Sequence, residues 1–262
     1  MVVPSTLCSN LYDFAFCPEP CYDRLIDLAD LEDWGSGNRI LKNYLSFSFS
    51  RAVYLVGRDV DHAVPSALPL VFDDERCLFN TGLYTRRYET IYALFESNTR
   101  PDARQRWFLK GFFKESDPAL VAFEYLPCRV HFAEDPSQLV FDYRLPIRCN
   151  IDHILGDEEN LTRIPEALMG EENSLLLRRA FEGAVVEAAR RAAANYTLAV
   201  PQFYGGRIQL LLPLCLTGDK PELALAVQRE DGFYSARTCL TIEMAYNNAR
   251  LICRPETSWI KR

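Results

Sequence analysis

The chain has 262 residues, of which 48% are hydrophobic and 25% charged, and its formal net charge is −7. These proportions are typical of a globular protein that buries a sizeable core. The negative total argues against a broad nucleic-acid-binding surface, because such surfaces replace the counterions of phosphates with Lys and Arg, but it allows a local basic pocket.

Hydropathy and the N-terminal residues predict a cytoplasmic protein without a membrane partner. No apolar run reaches the length of a bilayer crossing, and MVVPSTLCSN lacks the basic and apolar regions of a secretory signal. The nine cysteines include no Cys-x-x-Cys pair, so they are expected to be free thiols in a reducing compartment.

The N-terminal half predicts helices followed by strands. Leucines at three-residue spacing predict a helix over 22–34, and a second helix is predicted over 39–45. From about Val53 the pattern changes to that of strands, rich in aromatic and β-branched residues. Strands are predicted at 68–72 and 76–80, joined by an acidic turn, and at 87–97, 107–114 and 137–147.

The C-terminal half predicts a long helix, two hairpins and a last helix. An apolar stripe over 174–195 predicts the clearest helix of the chain, and 241–252 predicts the last one. The glycine-containing turns at 205–206 and 231–232 are of the kind that join hairpin strands.

These elements favour an α+β fold of mostly antiparallel sheets, with helices at the N-terminus, the centre and the C-terminus. No segment repeats and none is low in complexity. The chain is therefore predicted to be a single domain, 1–262, with a possible substructure of 1–148 and 149–262.

Short motifs of common cofactor and nucleophile sites are missing. The chain has no GxGxxG, no GxxxxGK[ST] and no GxSxG. Its three histidines, at 62, 131 and 153, show no zinc-ligand spacing. No obvious cofactor is predicted, whereas a Mg²⁺ site built from carboxylates has no fixed spacing and stays open.

The segment CNIDHILGDEENLTRIP, 149–165, is the strongest candidate for chemistry. His153 can act as a general base, since the pKa of histidine lies near neutrality and a polar neighbour can orient the ring. Adjacent side chains on a helix do not face each other, so Asn150 at i−3 is a better partner than Asp152. The alternative is an ordinary helix start, with Asn150 or Asp152 as its cap.

Further polar side chains stand in otherwise apolar segments. Asn80 and Thr81 can offer an amide and a hydroxyl to an anion, or they belong to a turn that needs positive φ at glycine. Gln202 and Gln209 can meet across the 205–206 turn and read a base edge or an amide, or they form an exposed strand face. The polar residues of the last helix, Asn247, Asn248 and Arg250, form either a recognition surface or a solvated face.

Five ordered segments together resemble one known family. They are RCLFNTGL (76–83), IYALFE (91–96), NIDHILGDEENLTRIP (150–165), VPQFYGGRIQLLLPL (200–214) and TIEMAYNNARLI (241–252). They resemble the family catalogued as domain of unknown function 3825, over nearly the whole chain from about residue 10 to Trp259. The resemblance implies no established activity. Some bacterial relatives resemble multidomain proteins with a LOTUS-type domain, a predicted RNA-binding unit, and this chain would then be the effector part alone.

That association favours an RNA-associated enzyme acting on a nucleotide, an RNA end or a charged tRNA. The signature segments hold polar groups in otherwise apolar surroundings, and buried polar groups are costly unless they are paired, which favours a pocket. In it, His153, with Asn150 and Asp152, would move protons. The expected substrate-binding residues are Asn80, Thr81, Arg163, Gln202, Tyr204, Gln209, Asn247, Asn248 and Arg250, with the arginines holding phosphate or developing charge.

Three alternatives stay open. The reaction can instead be tRNA-dependent acyl transfer, including cyclodipeptide formation. The chain can also be a non-catalytic module that binds RNA or a protein partner, or a structural protein whose polar groups only satisfy buried backbone. If the chain is an enzyme, His153 should share one pocket with Arg163 or Arg250 and with the two glutamines. If it is a structural protein, these side chains should be scattered.

Overall fold

The computed structural model describes residues 7–59, 67–100 and 102–260, so His62 lies outside the described residues. Contacts divide the chain into two compact units, Met1–Val130 and His131–Arg262. The boundary lies after Val130, whereas the sequence suggests one after residue 148. That the whole chain forms a single domain stays a prediction.

The described residues of the first unit form one five-stranded sheet and three α-helices. Its elements are α1 (Leu11–Phe14), β1 (Ala15–Phe16), α2 (Glu19–Leu28), α3 (Arg39–Asp59), β2 (Leu70–Phe72), β3 (Arg76–Tyr84), β4 (Thr90–Ser97) and β5 (Trp107–Lys114). The strand order is β1-β5-β4-β3-β2. Strands β2 to β5 are antiparallel neighbours, whereas the short β1 pairs in parallel with β5.

The described residues of the second unit form another five-stranded sheet. Its elements are β6 (Ile147–Cys149), α4 (Ile151–Gly156), α5 (Glu158–Leu161), α6 (Ser174–Ala194), β7 (Val200–Tyr204), β8 (Arg207–Leu214), β9 (Leu223–Arg229), β10 (Tyr234–Thr241) and α7 (Ile242–Arg250). The order is β6-β10-β9-β8-β7, and only the short β6 pairs in parallel, with β10.

The two sheets share one topology, although the sequence shows no repeat. In each unit a short edge strand pairs in parallel with the last strand of a four-stranded antiparallel meander. In each, a helix of 21 residues, α3 or α6, lies in the chain between that edge strand and the meander. The α+β fold with mostly antiparallel sheets is confirmed.

The first two predicted helices differ from the observed ones in length. Helix α2 ends at Leu28, because Ala29 bridges to Thr85 and the N–H of Asp30 donates to the carbonyl of Tyr84 at 2.9 Å. Helix α3 runs to Asp59, so the strand pattern predicted from Val53 is wrong. An apolar stripe at helical spacing continues through it and is fully buried, at Leu41, Leu45, Phe49, Ala52 and Val56.

The strand predicted at 137–147 is also wrong. Pro136 opens a 3₁₀ turn over Pro136–Leu139, capped by Asp135, whose carboxylate accepts from the N–H of Ser137 at 2.8 Å. Only Ile147–Cys149 is a strand there. The other predicted strands, both C-terminal hairpins and the two C-terminal helices are confirmed, with small shifts at their ends. No helix in the described part of the chain combines the length and hydropathy that crossing a bilayer requires.

The second sheet changes from apolar to polar along its strands. Residues 223–227 of β9 and 210–214 of β8 are buried throughout, which places the core of the unit at this end. Towards the 205–206 turn, β8 carries Gln209 and Arg207. At the same end of the sheet, β9 carries Gln228 and ends at Arg229, and Glu230 follows it. Since side chains alternate between faces, Gln228 and Glu230 lie on the same face.

Candidate ligand-binding site

Helix α4 begins at Asn150, whose side chain is its N-cap. The Oδ1 of Asn150 accepts a hydrogen bond of 3.2 Å from the backbone N–H of His153. The side chain of His153 is exposed, and the carboxylate of Asp152 forms an ion pair with Arg178 of α6. The side chain of Asn150 therefore binds the backbone of His153 and not its imidazole ring. This contact corresponds to the alternative interpretation, an ordinary capped helix start. A catalytic role of these three residues stays a prediction.

Arg163 and Asn160 tie helix α5 to strand β10. Nη1 of Arg163 donates to the carbonyl of Cys239 at 2.6 Å and to Oδ1 of Asn160 at 3.0 Å. Its Nη2 pairs with Glu159, and the Arg163 side chain is only 9% exposed. Thr238 donates its hydroxyl to the same Asn160 oxygen at 2.9 Å. The guanidinium therefore holds the region around Thr238 in place and is satisfied inside the protein.

Gln202 and Gln209 meet across the β7–β8 hairpin. The two residues are directly opposite in register, and Nε2 of Gln202 donates to Oε1 of Gln209 at 2.8 Å. Nδ2 of Asn248, from α7, donates to Oε1 of Gln202 at 3.0 Å. The expectation that the 205–206 turn brings the two amides together is confirmed, whereas their contact with a substrate stays a prediction.

The amides continue as a row across the sheet and end at a carboxylate. Nε2 of Gln209 donates to Oε1 of Gln228 at 3.5 Å, and Nε2 of Gln228 donates to Oε1 of Glu230 at 3.3 Å. The hydroxyl of Ser235 donates to the same Glu230 oxygen at 3.0 Å. An ionised carboxylate only accepts hydrogen bonds, so Gln228 must turn its NH₂ towards Glu230. The orientation of Gln228 in turn fixes the orientation of the other amides in the row, which are Gln209, Gln202 and Asn248.

A cavity of about 250 Å³ lies beside this amide row. It is lined by Arg207, Gln209, Ala226, Gln228, Glu230, Ser235, Arg237 and Thr238. Ala226 lies two residues before Gln228 and therefore on the same face of β9. Its small side chain leaves space between longer polar neighbours.

A β-bulge in β10 adds polar side chains to the cavity. Ala236 lies opposite Val227 and Thr238 lies opposite Ala226, so Arg237 is an extra residue without a partner on β9. Bulges of this kind re-aim side chains and are frequent next to active sites. In this unit the bulge lets both Arg237 and Thr238 line the cavity.

Two arginines give the cavity positive charge. Arg207 and Arg237 are exposed, and neither guanidinium forms an ion pair or hydrogen bond with the described residues. Arg207 lies opposite Tyr204 in the hairpin register, and the Tyr204 side chain is 64% exposed. The guanidinium fork suits phosphate and carboxylate groups, and an aromatic ring offers a stacking face to a base.

The polar residues of α7 occupy different environments. Asn248 belongs to the amide row. The Oδ1 of Asn247 is buried without a hydrogen-bond partner among the described residues, which costs about 1–3 kcal/mol of stability for a neutral group. Arg250 is buried, with 6% of its surface exposed. Contacts of Asn247 and Arg250 with a substrate stay predictions.

Asn80 and Thr81 hold an irregular part of β3 in the first unit. The strand register shifts after Asn80, and Gly82 has a φ of 70°. Asn80 accepts from the N–H of Gly82 and donates to the carbonyl of Pro127, both at 2.9 Å. The Thr81 hydroxyl donates to the carbonyl of Ile91 at 2.5 Å. Both side chains bind backbone groups here, and their contact with a substrate stays a prediction.

The possible metal ligands of the described residues are dispersed, and two partly buried cysteines have raised pKa values. Over 7–59, 67–100 and 102–260, no three His, Cys, Asp or Glu side chains are arranged to hold a metal ion. All nine cysteines are free thiols. Burial raises the pKa of Cys149 and of Cys239 to about 11, so both thiols are protonated at neutral pH and are weak nucleophiles.

Among the residues that line the cavity, sequence reasoning found only Gln209. A signal was present on both sides of the 231–232 turn, where Gln228 and Glu230 stand two residues apart, as do Ser235 and Arg237. The two-residue period of a strand places each such pair on one face. The bulge that adds Thr238 has no sequence signature of its own, because it depends on the register with β9.

The fold and the cavity together define an α+β protein of two sheets, with a polar, arginine-bearing cavity in the second. The chain belongs to a family described as a domain of unknown function (DUF3825), whose model matches residues 25–259. The family resemblance drawn from the five sequence segments is therefore confirmed. No curated protein and no solved structure matches the chain significantly.

Proposed function

We propose that the second unit binds a nucleotide, or the end of an RNA strand, in the cavity beside the amide row. The observation that carries the proposal is the pair of arginines, Arg207 and Arg237, which border this cavity without an ion-pair partner among the described residues. Arginine binds phosphate through charge-assisted and often bidentate hydrogen bonds. A phosphate is thus the group that these two side chains fit best.

The size of the cavity favours a ligand of about one nucleotide. Small-molecule sites usually measure about 300–1,000 Å³, and this cavity of about 250 Å³ lies just below that range. A duplex or a long strand would need a broad basic surface, whereas this chain has a net charge of −7. The proposal is therefore restricted to a mononucleotide or a strand end.

The amide row supplies hydrogen bonds for a base. Gln209 and Gln228 each use one N–H in the row, and an amide nitrogen carries two. Both glutamines line the same cavity as Arg207 and Arg237, which supports a role of their remaining donors and acceptors in holding the ligand. Tyr204, opposite Arg207 in the hairpin, offers a stacking surface.

The first test removes one cavity arginine. We expect Arg237→Ala to weaken binding of ribonucleoside 5′-monophosphates about tenfold or more, because a hydrogen bond to a charged group is worth about 1.5–3 kcal/mol. Isothermal titration calorimetry with the four monophosphates, and with the nucleosides that lack phosphate, measures the effect. The matched control is Arg190→Ala, which removes an exposed arginine from α6 and should change affinity less than twofold.

Two results contradict this proposal. One is the absence of binding of any monophosphate or 5′-phosphorylated trinucleotide at millimolar concentration. The other is an equal loss of affinity in Arg190→Ala and Arg237→Ala, which would reflect net charge alone.

A second test addresses the amides. Gln228→Ala removes the link between Gln209 and Glu230, so we expect the affinity for monophosphates to fall about threefold to tenfold, as for a lost neutral hydrogen bond of about 1 kcal/mol. Binding of inorganic phosphate should stay unchanged. Gln138→Ala, at an exposed glutamine of the same unit, is the control. A loss of phosphate binding equal to the loss of nucleotide binding speaks against base contacts.

Catalysis on the bound RNA is the second candidate function. The observation that favours it is that Arg163 lies 3.4 Å from the hydroxyl of Thr238, a residue that lines the cavity. In this proposal His153, which does not itself line the cavity, moves protons during phosphoryl or phosphodiester chemistry. Acyl transfer from a charged tRNA, with cyclodipeptides as products, is the alternative reaction.

Mass spectrometry of purified protein tests this candidate. Nucleotides, cyclic dipeptides and tRNA that co-purify with the wild type are compared with those of His153→Ala. A product that disappears in the variant supports catalysis. Unchanged nucleotide content in both proteins contradicts a catalytic His153 and leaves the binding function standing.

A further inference from the structure

Glu230 brings a carboxylate to the cavity beside the amide row, although a phosphate carries charge of the same sign. Arg207 and Arg237 line the same cavity, and within the described part of the chain neither guanidinium forms an ion pair with Glu230. The positive and negative side chains of the cavity are therefore separate. A ligand that matches both carries an anionic group for the arginines and hydrogen-bond donors for the carboxylate.

One oxygen of the Glu230 carboxylate is already used, and the other is free to bind a ligand. Oε1 accepts from Nε2 of Gln228 at 3.3 Å and from the hydroxyl of Ser235 at 3.0 Å. Among the described residues, Oε2 has no hydrogen-bond or ion-pair partner. The two bonds to Oε1 orient the half-buried side chain. Oε2 is thus an oriented acceptor with two free lone pairs, on a residue that lines the cavity.

Gln228 places a donor next to this acceptor. Its Nε2 uses one N–H for Glu230, and an amide nitrogen carries a second one. Gln228 cannot turn its amide around without losing this bond, because an ionised carboxylate only accepts. The two neighbouring side chains therefore offer one N–H donor and one carboxylate acceptor to a ligand in the cavity.

Guanine is the base whose edge matches this donor and acceptor. Its Watson–Crick edge carries the acceptor O6, followed by two adjacent donors, N1–H and the N2 amino group. A single oxygen with two free lone pairs can accept from both donors. Adenine and cytosine place a ring-nitrogen acceptor beside their amino group, and uracil flanks its N3–H with two carbonyl oxygens. Each of these three bases would bring a lone pair against the carboxylate, which is repulsive.

We infer that the cavity prefers guanine nucleotides and that Glu230 sets this preference. The inference rests on the proposed nucleotide-binding function and adds the identity of the base. In this arrangement Arg207 and Arg237 hold the phosphate. The second N–H of Gln228 donates to O6, and Oε2 of Glu230 accepts from N1–H and from the N2 amino group.

Calorimetric titration of the full chain with 5′-monophosphates tests the preference. We expect guanosine monophosphate to bind about tenfold or more tightly than the adenosine, cytidine and uridine monophosphates, because hydrogen bonds to a charged group are stronger than neutral ones. Inosine monophosphate lacks only the N2 amino group of guanine, and it should bind about threefold to tenfold more weakly than guanosine monophosphate. This comparison uses the wild type alone, so it does not depend on the stability of any variant.

A matched pair of variants assigns the preference to Glu230. Glu230→Gln keeps the size of the side chain and exchanges one acceptor oxygen for an NH₂ donor. In this variant the ratio of the dissociation constants for inosine and guanosine monophosphate should fall to about one. Glu187→Gln removes the same charge from an exposed position on α6 and should keep the wild-type ratio. Circular dichroism shows whether each variant is folded.

Four results overturn the inference. They are equal affinities for the four ribonucleotides, a preference for another base, inosine monophosphate binding as tightly as guanosine monophosphate, and a guanine preference that Glu230→Gln retains. Equal affinities that Arg237→Ala lowers would refute the base preference and leave the nucleotide-binding function standing. The absence of binding of any monophosphate would refute both.

Discussion

Gly82 occupies a position in β3 at which a side chain does not fit. Its φ is 70°, and a Cβ atom there would lie 2.6 Å from the hydroxyl oxygen of Tyr44. That hydroxyl donates to the carbonyl of Thr81 at 2.8 Å. Glycine therefore permits both the bulge after Asn80 and the contact between α3 and the sheet.

We expect Gly82→Ala to lower the free energy of unfolding by about 1–3 kcal/mol, the cost of a non-glycine residue in a sparsely populated backbone region. Gly57→Ala is the control, because Gly57 lies in α3 and a Cβ atom there meets nothing within 4 Å. Alanine favours a helix over glycine by about 0.5–1 kcal/mol, so this variant should be slightly more stable. Urea denaturation of both variants measures the difference, and equal stabilities would contradict the clash.

At the scale of elements, the irregular segment before β6 depends on Asp142. The Asp142 carboxylate accepts two hydrogen bonds of 2.7 Å from the Arg144 guanidinium. The backbone N–H of Asp142 donates to the hydroxyl of Tyr234 on β10 at 2.9 Å. Phe141 stacks on the same tyrosine with ring centroids 4.8 Å apart. These contacts hold the irregular segment against the sheet, although its sequence has the pattern of a strand.

The hydrogen bonds from Arg144 lower the pKa of Asp142 to about 2, against about 3.9 for an unfolded aspartate. The carboxylate therefore contributes stability above about pH 4, and this contribution is lost as the pH falls towards 2. We expect Asp142→Asn to be less stable than the wild type at pH 6 and to approach it at pH 2. Thermal unfolding across this range measures the effect. Asp23→Asn, at an exposed carboxylate of α2, is the control for the loss of one negative charge.

At the scale of the whole molecule, each unit completes its own sheet. All five strands of the second sheet come from residues after His131, and the candidate cavity is lined only by residues of that unit. A unit of this size can in principle bury a core of its own.

We therefore expect a fragment of residues 131–262 to fold and to bind monophosphates within about threefold of the full chain. Circular dichroism, cooperative urea unfolding and calorimetry test this expectation. A fragment without a cooperative transition would show that the second unit needs the first for stability.

The sequence by itself determined the elements whose signals are local. Turn residues at 205–206 and 231–232 and the alternation beside them gave the hairpins, and the first of these turns placed Gln202 opposite Gln209. These features need only the two-residue period of strands and the backbone preferences of glycine.

Tertiary structure decided where α2 ends, how far α3 extends, and which polar side chains share a cavity. Helix α2 stops because Ala29 bridges to Thr85, a residue far along the chain. Thr238 reaches the cavity because the register between β9 and β10 shifts at that point. Both outcomes depend on pairing between distant residues, and such pairing can override local propensity in a way that a local pattern does not reveal.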